Sequence, residues 1–238
     1  MKLRTLASIV LIAALPMAAQ VAHPASCNGG NNASGATQTS WSCTLTVPSG
    51  GFITVLLACG GCGTVPTSYS ASDTLGSTFT FAGANANFAA ADGYWLALEA
   101  ATANGSGSDT VTFTASPAKG FTAVLVDAWT GAIPTLDGAV TVDTCGSCGV
   151  TYSTTAANEL VYFGSMVGGT VTAASGWTLA QNSQTDGVQW ISPGVVTNQT
   201  AAWGTATGTW IALVAVFKAA ASPHAVMKGM VLKGGVVR

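Results

Sequence analysis

The chain has 238 residues, of which only 7% are charged, and its seven Lys and Arg against nine Asp and Glu leave a formal net charge of −2. Nucleic-acid binding needs a basic face that neutralises phosphates. Because Lys119 is the only basic residue between Cys27 and Phe217, DNA and RNA are excluded as partners. Hydrophobic residues make up 49% of the chain, which is enough to build a core and excludes a disordered protein.

The first segment has the layout of a secretory signal peptide. Two basic residues are followed by an apolar run over residues 6–15 and by small residues that end at Ala19. The run is shorter than the roughly 20 residues that span a bilayer, although a retained membrane anchor is the alternative. We therefore expect residues 1–19 to be removed, leaving a secreted or cell-surface protein that begins at Gln20 and has no membrane span.

The rest of the sequence has the periodicity of β-strands. Nine short segments are rich in Val, Thr and aromatic residues and are bounded by Gly, Asn, Ser or Asp. They are residues 51–59, 77–83, 94–100, 108–116, 121–129, 159–166, 176–181, 188–194 and 209–218. Within these segments, residues 109–116 alternate polar and apolar side chains, as a strand with one water-facing side does, whereas residues 123–129 and 210–217 are apolar on both sides and indicate central strands.

No stretch predicts an amphipathic helix of useful length. We therefore expect an all-β protein with a single domain over residues 20–220. The many short strands at regular intervals favour an antiparallel β-sandwich, of jelly-roll type.

Five stretches of this domain carry a likeness to other proteins: GSDTVTFTAS, VLVDAWTG, TAANELVYFGSM, ASGWTLAQ and TWIALVAVFKAA. Together they resemble a widespread group of exported bacterial β-sandwich proteins with a jelly-roll-like fold and no assigned function. The likeness covers roughly residues 51–220. It implies export and fold but transfers no catalytic residue, because its motifs are strand and turn patterns. Two Cys-x-x-Cys pairs and a basic tail depart from the pattern of the group.

Six cysteines are present: Cys27, Cys43, Cys59, Cys62, Cys145 and Cys148. An even number in an exported protein favours disulfides. Two Cys-x-x-Cys pairs could instead supply the four thiolates of a zinc site, whereas a redox pair is disfavoured because the surrounding glycines indicate loops. The simplest pairing is Cys27–Cys43, with Cys59–Cys62 and Cys145–Cys148 as local loops; cross-links between the two pairs are the main alternative. We expect no metal and no cofactor.

The positions of the histidines constrain catalysis. His23 and His224 are the two in the chain, and we expect both to lie outside the sandwich, which excludes a Ser-His-acid or Cys-His site within it. Glu99 and Asp127 lie in apolar strands and are the best candidates for the two carboxylates of a glycosidase. The structural alternative is that Glu99 closes its strand and Asp127 hydrogen-bonds beside Trp129. We favour a non-catalytic protein.

Most of the other acidic residues are expected to form turns, since they lie beside Gly or in clusters of turn residues. They are Asp73, Asp92, Asp109, Asp137 and Asp186. Asp137 and Asp143 could also supply loop oxygens to Ca²⁺, but no liganding motif surrounds them.

Four tryptophans are the candidate ligand-binding residues. Trp129, Trp177, Trp190 and Trp203 lie near Gly, Thr, Ser or Gln, at strand ends or on mixed faces. An exposed indole offers a flat apolar surface to the C–H face of a sugar, and neighbouring amides and hydroxyls supply hydrogen bonds. The alternative is that all four are structural, as we expect for the residues of the apolar strands, namely Trp95, Trp210 and Phe217.

Two functions remain open. The first is an exported module that binds a polysaccharide or another cell-surface ligand. The second is a structural, coat-like surface protein that self-associates; an enzyme that cleaves glycans with a carboxylate pair is a third. The basic tail, residues 221–238, is expected either to be disordered or to add as a strand to a sheet edge of its own domain or of a neighbouring copy.

Overall fold

The computed structural model of the protein describes nine stretches of the chain. They are residues 19–31, 37–59, 68–82, 95–120, 122–143, 149–167, 169–183, 186–206 and 209–221. The predictions for residues 1–18, for the tail after residue 221 and for Asp92 concern residues outside these stretches. The same holds for three of the six cysteines, Cys62, Cys145 and Cys148.

Within the described stretches the chain forms eighteen strands and no helix. In chain order the strands are β1 (Ala22–Asn31), β2 (Gln38–Val47), β3 (Phe52–Cys59), β4 (Ser68–Asp73), β5 (Thr80–Phe81), β6 (Trp95–Thr102), β7 (Gly107–Lys119), β8 (Thr122–Thr130), β9 (Ala132–Leu136), β10 (Thr141–Asp143), β11 (Val150–Tyr152), β12 (Leu160–Val167), β13 (Val171–Thr172), β14 (Thr178–Ser183), β15 (Asp186–Ile191), β16 (Gln199–Ala201), β17 (Thr205–Ala206) and β18 (Thr209–Ala219).

Three larger sheets contain most of these strands. The central sheet has the order β1-β8-β3-β6-β5, and the front sheet has the order β2-β7-β4. The back sheet has the order β10-β18-β12-β15-β14, and β9 also pairs with β18. Two small ribbons, β11–β16 and β13–β17, complete the fold, and the described pairings are antiparallel. The prediction of an all-β sandwich of antiparallel sheets is confirmed.

The central sheet is covered on both faces. Successive side chains of a strand point to opposite faces, so Ile53, Val55 and Leu57 pack towards Trp41 and Phe113 of the front sheet. The intervening residues of β3 pack towards the back sheet, and all eight residues of β3 are consequently buried. Burial of each such aliphatic side chain stabilises the fold by about 1.5–3 kcal/mol.

The two strands predicted to be central hold central positions. Strand β8 lies between β1 and β3 in the central sheet, and β18 lies between β10 and β12 in the back sheet. The inward side of β18 includes Leu213 and Phe217, which pack against Leu56 and Leu125 of the central sheet. Its other side, with Val214 and neighbouring residues, belongs to a further apolar cluster under the small ribbons. These placements confirm the interpretation of the two apolar runs.

The outer side of the front sheet is a face of uncharged hydroxyl residues, which we call the hydroxyl face. It consists of Ser40, Ser42, Thr44, Thr46, Ser68, Ser70, Ser72, Ser108, Thr110, Thr112, Thr114 and Ser116. The register aligns these residues across strands, as in the row formed by Ser40, Thr114 and Ser70. The predicted water-facing side of segment 108–116 is part of this face and is confirmed.

A disulfide joins the edge of the central sheet to the front sheet. Cys27 of β1 and Cys43 of β2 are bonded, with Cα atoms 5.9 Å apart and a sequence separation of 16 residues. This predicted pair is confirmed. Cys59 at the end of β3 is also disulfide-bonded.

Candidate functional site

A bulge near the start of β1 places a histidine inside the sandwich. Ala22 pairs with Thr130 and Ala25 with Ala128, so His23 and the proline after it together face a single residue of β8. The extra residue turns His23 away from the front sheet and towards the back sheet, as bulges re-aim side chains. The expectation that His23 lies outside the sandwich is therefore wrong. Its strand was not predicted because Pro and two Gly interrupt the pattern, a combination that edge strands tolerate.

His23 belongs to a buried polar cluster centred on Asp127. The side chain of Asp127 is completely buried, and its Oδ1 accepts a hydrogen bond from His23 Nε2 at 2.8 Å and another from Gln181 Nε2 at 2.7 Å. Gln181 Nε2 also donates to the carbonyl oxygen of Val126 at 2.8 Å. Three distant parts of the chain, β1, β8 and β14, are thereby tied together at one carboxylate.

Aromatic rings surround this cluster. Trp129 is fully buried; its ring lies 4.5 Å from that of His23, and its Nε1 donates to Thr54 Oγ1 at 2.8 Å. Tyr162 and Trp190 contact Trp129 edge-on, with ring centroids 6.1 Å and 5.6 Å away. Burial raises the pKa of Tyr162 well above its ordinary value, and the charge of Asp127 raises it further. The tyrosine is therefore neutral, and it contributes to the cluster through the packing of its ring.

Trp190 also lines a cavity of about 520 Å³. Its walls come from the segment before β1, from the turn before β12, and from β14 and β15. The side chains that line it are Gln20, Val21, Asn158, Thr178, Trp190, Ile191 and Ser192. None of them is charged, and they combine one indole and two aliphatic side chains with amide and hydroxyl groups. Trp190 thus links the cavity to the buried cluster.

The four candidate tryptophans do not form a single row. Trp129 is in the core and Trp190 lines the cavity, whereas Trp177 and Trp203 lie on the outer side of the back sheet. Both of the latter contact Phe163 edge-on, at 6.2 Å and 5.3 Å, and Trp203 Nε1 donates to Ser165 Oγ at 2.6 Å. Of the four, Trp190 is the one that combines partial exposure with a lined cavity. Phe217 is buried in the core, as expected.

The two carboxylates considered for catalysis lie on opposite faces of the central sheet. Glu99 faces the front sheet, where its Oε2 accepts a hydrogen bond from the amide of Ala71 at 3.0 Å. Asp127 faces the back sheet, where it binds Gln181. Two carboxylates can cleave a glycosidic bond only if they flank the same sugar. Glu99 and Asp127 therefore do not form a catalytic carboxylate pair.

The other acidic residues have mixed roles. Asp73 forms a turn as predicted, since its Oδ1 accepts from the amide of Ser77 at 2.7 Å. Asp109 departs from the prediction: it lies buried within β7 and accepts from both the amide and the hydroxyl of Thr74. Asp186 is likewise buried, at the start of β15. The turn interpretation therefore fails where an acid lies on the covered side of a strand.

Asp137 shares a hydrogen-bond donor with Glu159. The amide of Thr155 donates to Asp137 Oδ2 at 2.7 Å and to Glu159 Oε2 at 3.0 Å. Burial raises the pKa of Glu159, and the adjacent Asp137 raises it further. Although burial opposes it, hydrogen bonds from Thr155 lower the pKa of Asp137. Glu159 is therefore the member of the pair that holds a proton more readily.

The suggested Ca²⁺ site is not assembled. Asp143 pairs with Ala212 of β18, whereas the amide of Asp137 donates to Val216 of the same strand, four positions further along. Among the residues described, no group of three or more His, Cys, Asp or Glu side chains is arranged to hold a metal ion.

Comparison of the chain with known proteins finds no matching family, no matching curated protein and no matching solved structure. In the described part of the chain, no helix has both the length and the apolar character needed to cross a membrane.

Proposed function

We propose that the protein is an exported, non-catalytic module that binds carbohydrate in the cavity beside Trp190. The observation that carries this proposal is the composition of the cavity wall: one partly exposed indole, two aliphatic side chains and four uncharged amide or hydroxyl side chains. Sugars present apolar C–H faces and a rim of hydroxyls, which this combination complements. The export expected from the N-terminal sequence supports the same function, because an exported module meets glycans outside the cell.

The wall of the cavity favours a neutral ligand. Gln20, Asn158, Thr178 and Ser192 can donate and accept hydrogen bonds but carry no charge. A carboxylated or phosphorylated sugar would lose its hydration without gaining an ionic partner from these residues, which is costly. Neutral oligosaccharides are therefore the preferred class.

The buried cluster holds the cavity wall in place. Gln181 lies in β14, whose Thr178 lines the cavity and pairs with Trp190 of β15, and His23 lies two residues after Val21 of the cavity wall. Both side chains are fixed to the same carboxylate, Asp127. Binding to a wall that is already fixed costs less conformational entropy than binding to a loose one.

A glycan array and polysaccharide pull-down with the exported protein test this proposal. The change Thr178→Val removes a hydroxyl from the cavity at constant shape, and Asn158→Gly removes an amide from a position whose φ of 63° glycine adopts without strain. Each change is expected to weaken binding about 5- to 10-fold, the effect of one lost hydrogen bond.

Thr112→Val on the hydroxyl face is the matched control, since it makes the same chemical change far from the cavity. It is expected to leave affinity unchanged. No retention on any neutral glycan would contradict the proposal, as would an equal loss of affinity in the control.

The second function, self-association as a structural surface protein, is favoured by the hydroxyl face. Its twelve Ser and Thr residues carry no charge, so no like-charge repulsion opposes contact between copies. Light scattering of the exported protein over a range of concentrations tests this function. Assemblies that dissociate in a Thr112→Lys variant would support it, and a strictly monomeric protein at high concentration would contradict it.

A further inference from the structure

The segment before β1 belongs to the folded domain. Val21 is only 3% exposed and packs in the core between the central and back sheets. The backbone of Gln20 lies directly against Gly131, a glycine with φ of 78° whose missing Cβ leaves room for this close approach. Two residues later His23 is fixed to Asp127. The chain is thus integrated into the fold by Val21 and His23, which fits the cleavage after Ala19 that the N-terminal sequence leads us to expect.

Removal of the signal peptide creates a new chemical group at the cavity. Gln20 is exposed and lines the same cavity as Trp190. Cleavage after Ala19 therefore places a free α-amino group on the cavity wall. Among the residues that the structure describes, those that line the cavity include no carboxylate to pair with an ammonium group.

We infer that Gln20 becomes an N-terminal pyroglutamyl residue and that this lactam forms part of the wall of the ligand cavity. The α-amino nitrogen of Gln20 attacks Cδ of its own side-chain carboxamide, and a new C–N bond closes a five-membered ring. The bond from Cδ to Nε2 breaks, and the departing nitrogen takes up the proton released by the amine and leaves as ammonia. The reaction needs no oxidant, reductant or co-substrate.

The lactam makes the wall of the cavity neutral and compact. An α-amino group has an ordinary pKa of about 7.7–8.0 and would be mostly protonated at neutral pH. The lactam removes this charge and keeps one N–H donor and one carbonyl acceptor, which suit a hydroxylated ligand. This inference concerns the same cavity as the proposed function and names a residue of its wall.

Intact-mass measurement of the exported protein, produced with its own leader, tests the covalent step. We expect a chain that begins at residue 20 and is lighter than the unmodified chain by the mass of one ammonia. Pyroglutamyl aminopeptidase should then expose Val21 as the first residue of the denatured protein. A free amine on Gln20, or a chain that begins at any other residue, would overturn the inference.

A Gln20→Ala variant is the control for the mass change. It cannot form the lactam, so it should begin with a free amine and show no loss of ammonia; the same loss in this variant would assign it to another residue and overturn the inference. The mass of the protein does not depend on any ligand. If Gln20 is modified but no glycan binds, the proposed carbohydrate binding is rejected and the lactam is not.

The position of the lactam is tested by nuclear Overhauser effects between its ring N–H and the indole protons of Trp190. We expect them in the exported protein. A modified terminus without any such contact would overturn the placement in the cavity.

Discussion

The two layers on either side of the central sheet bury carboxylates for different purposes. In the front layer, Glu99 and Asp109 accept hydrogen bonds from backbone amides of the adjacent strand and turn. In the back layer, Asp127 accepts from the side chains of His23 and Gln181, which come from two distant segments. The front layer uses its acids to satisfy backbone amides, whereas the back layer uses one acid to join side chains from separate strands that adjoin the cavity wall.

The largest expected effect concerns the covalent link of the front layer. Replacement of both Cys27 and Cys43 by Ala opens a loop closed across 16 residues, which should lower the free energy of unfolding by about 3 kcal/mol. Chemical denaturation of the variant measures this loss. An unchanged midpoint would show that packing alone holds β1 against the front sheet.

The next effect concerns the anchor of the back layer. His23→Phe keeps a ring beside Trp129 but removes the donor to a fully buried carboxylate, so stability should fall by about 1–3 kcal/mol. In an Asp127→Asn background the same change should cost less, because no buried charge is then left with a single donor. Additive losses in this double-mutant cycle would contradict the coupling.

A buried acid of the front layer should also make the free energy of unfolding depend on pH. Burial raises the pKa of Glu99 above its ordinary value of 4.5, although the hydrogen bond from Ala71 opposes the shift. The stabilising effect of protonated Glu99 is thus complete below pH 4.5. It is lost as the pH rises through the raised pKa that Glu99 has in the folded protein. Unfolding measured between pH 4 and 8 should show a shallower decline for Glu99→Gln than for the natural chain; parallel curves would contradict this.

The smallest effect is expected at Tyr162. Its hydroxyl is buried and makes no hydrogen bond of standard geometry with the described residues. Tyr162→Phe keeps the edge-on contact with Trp129, so the free energy of unfolding should change by less than about 1 kcal/mol. A much larger loss, seen by thermal denaturation, would show that this hydroxyl belongs to the network around Asp127.

The sequence predicted the interior strands better than the edges. Strands β3, β8, β12 and β18 are continuous apolar runs, and covered sheets demand such runs. Edge strand β1 was missed because Pro24 and two glycines break its pattern, although edges and bulges accept these residues. Short strands such as β9 and β10 carry too few residues for a period to be recognised.

The candidate site was only partly predictable for a related reason. Trp190 was identified by its polar neighbours, and Asp127 by its place in an apolar strand. The contact between Asp127 and His23 joins residues 104 positions apart, and neither residue's local sequence indicates the other. Gln20 and Asn158 enter the cavity wall through the packing of separate segments, so only the folded chain reveals them.

The most direct test of the account is an NMR titration of the exported protein with the neutral glycan that binds it best. We predict that the amide and side-chain signals of Asn158, Thr178, Trp190 and Ser192 shift together and saturate at one dissociation constant, while those of Thr112 stay fixed. Shifts confined to the hydroxyl face, or to Trp177 and Trp203 on the outer side of the back sheet, would contradict the assignment of the cavity as the ligand site.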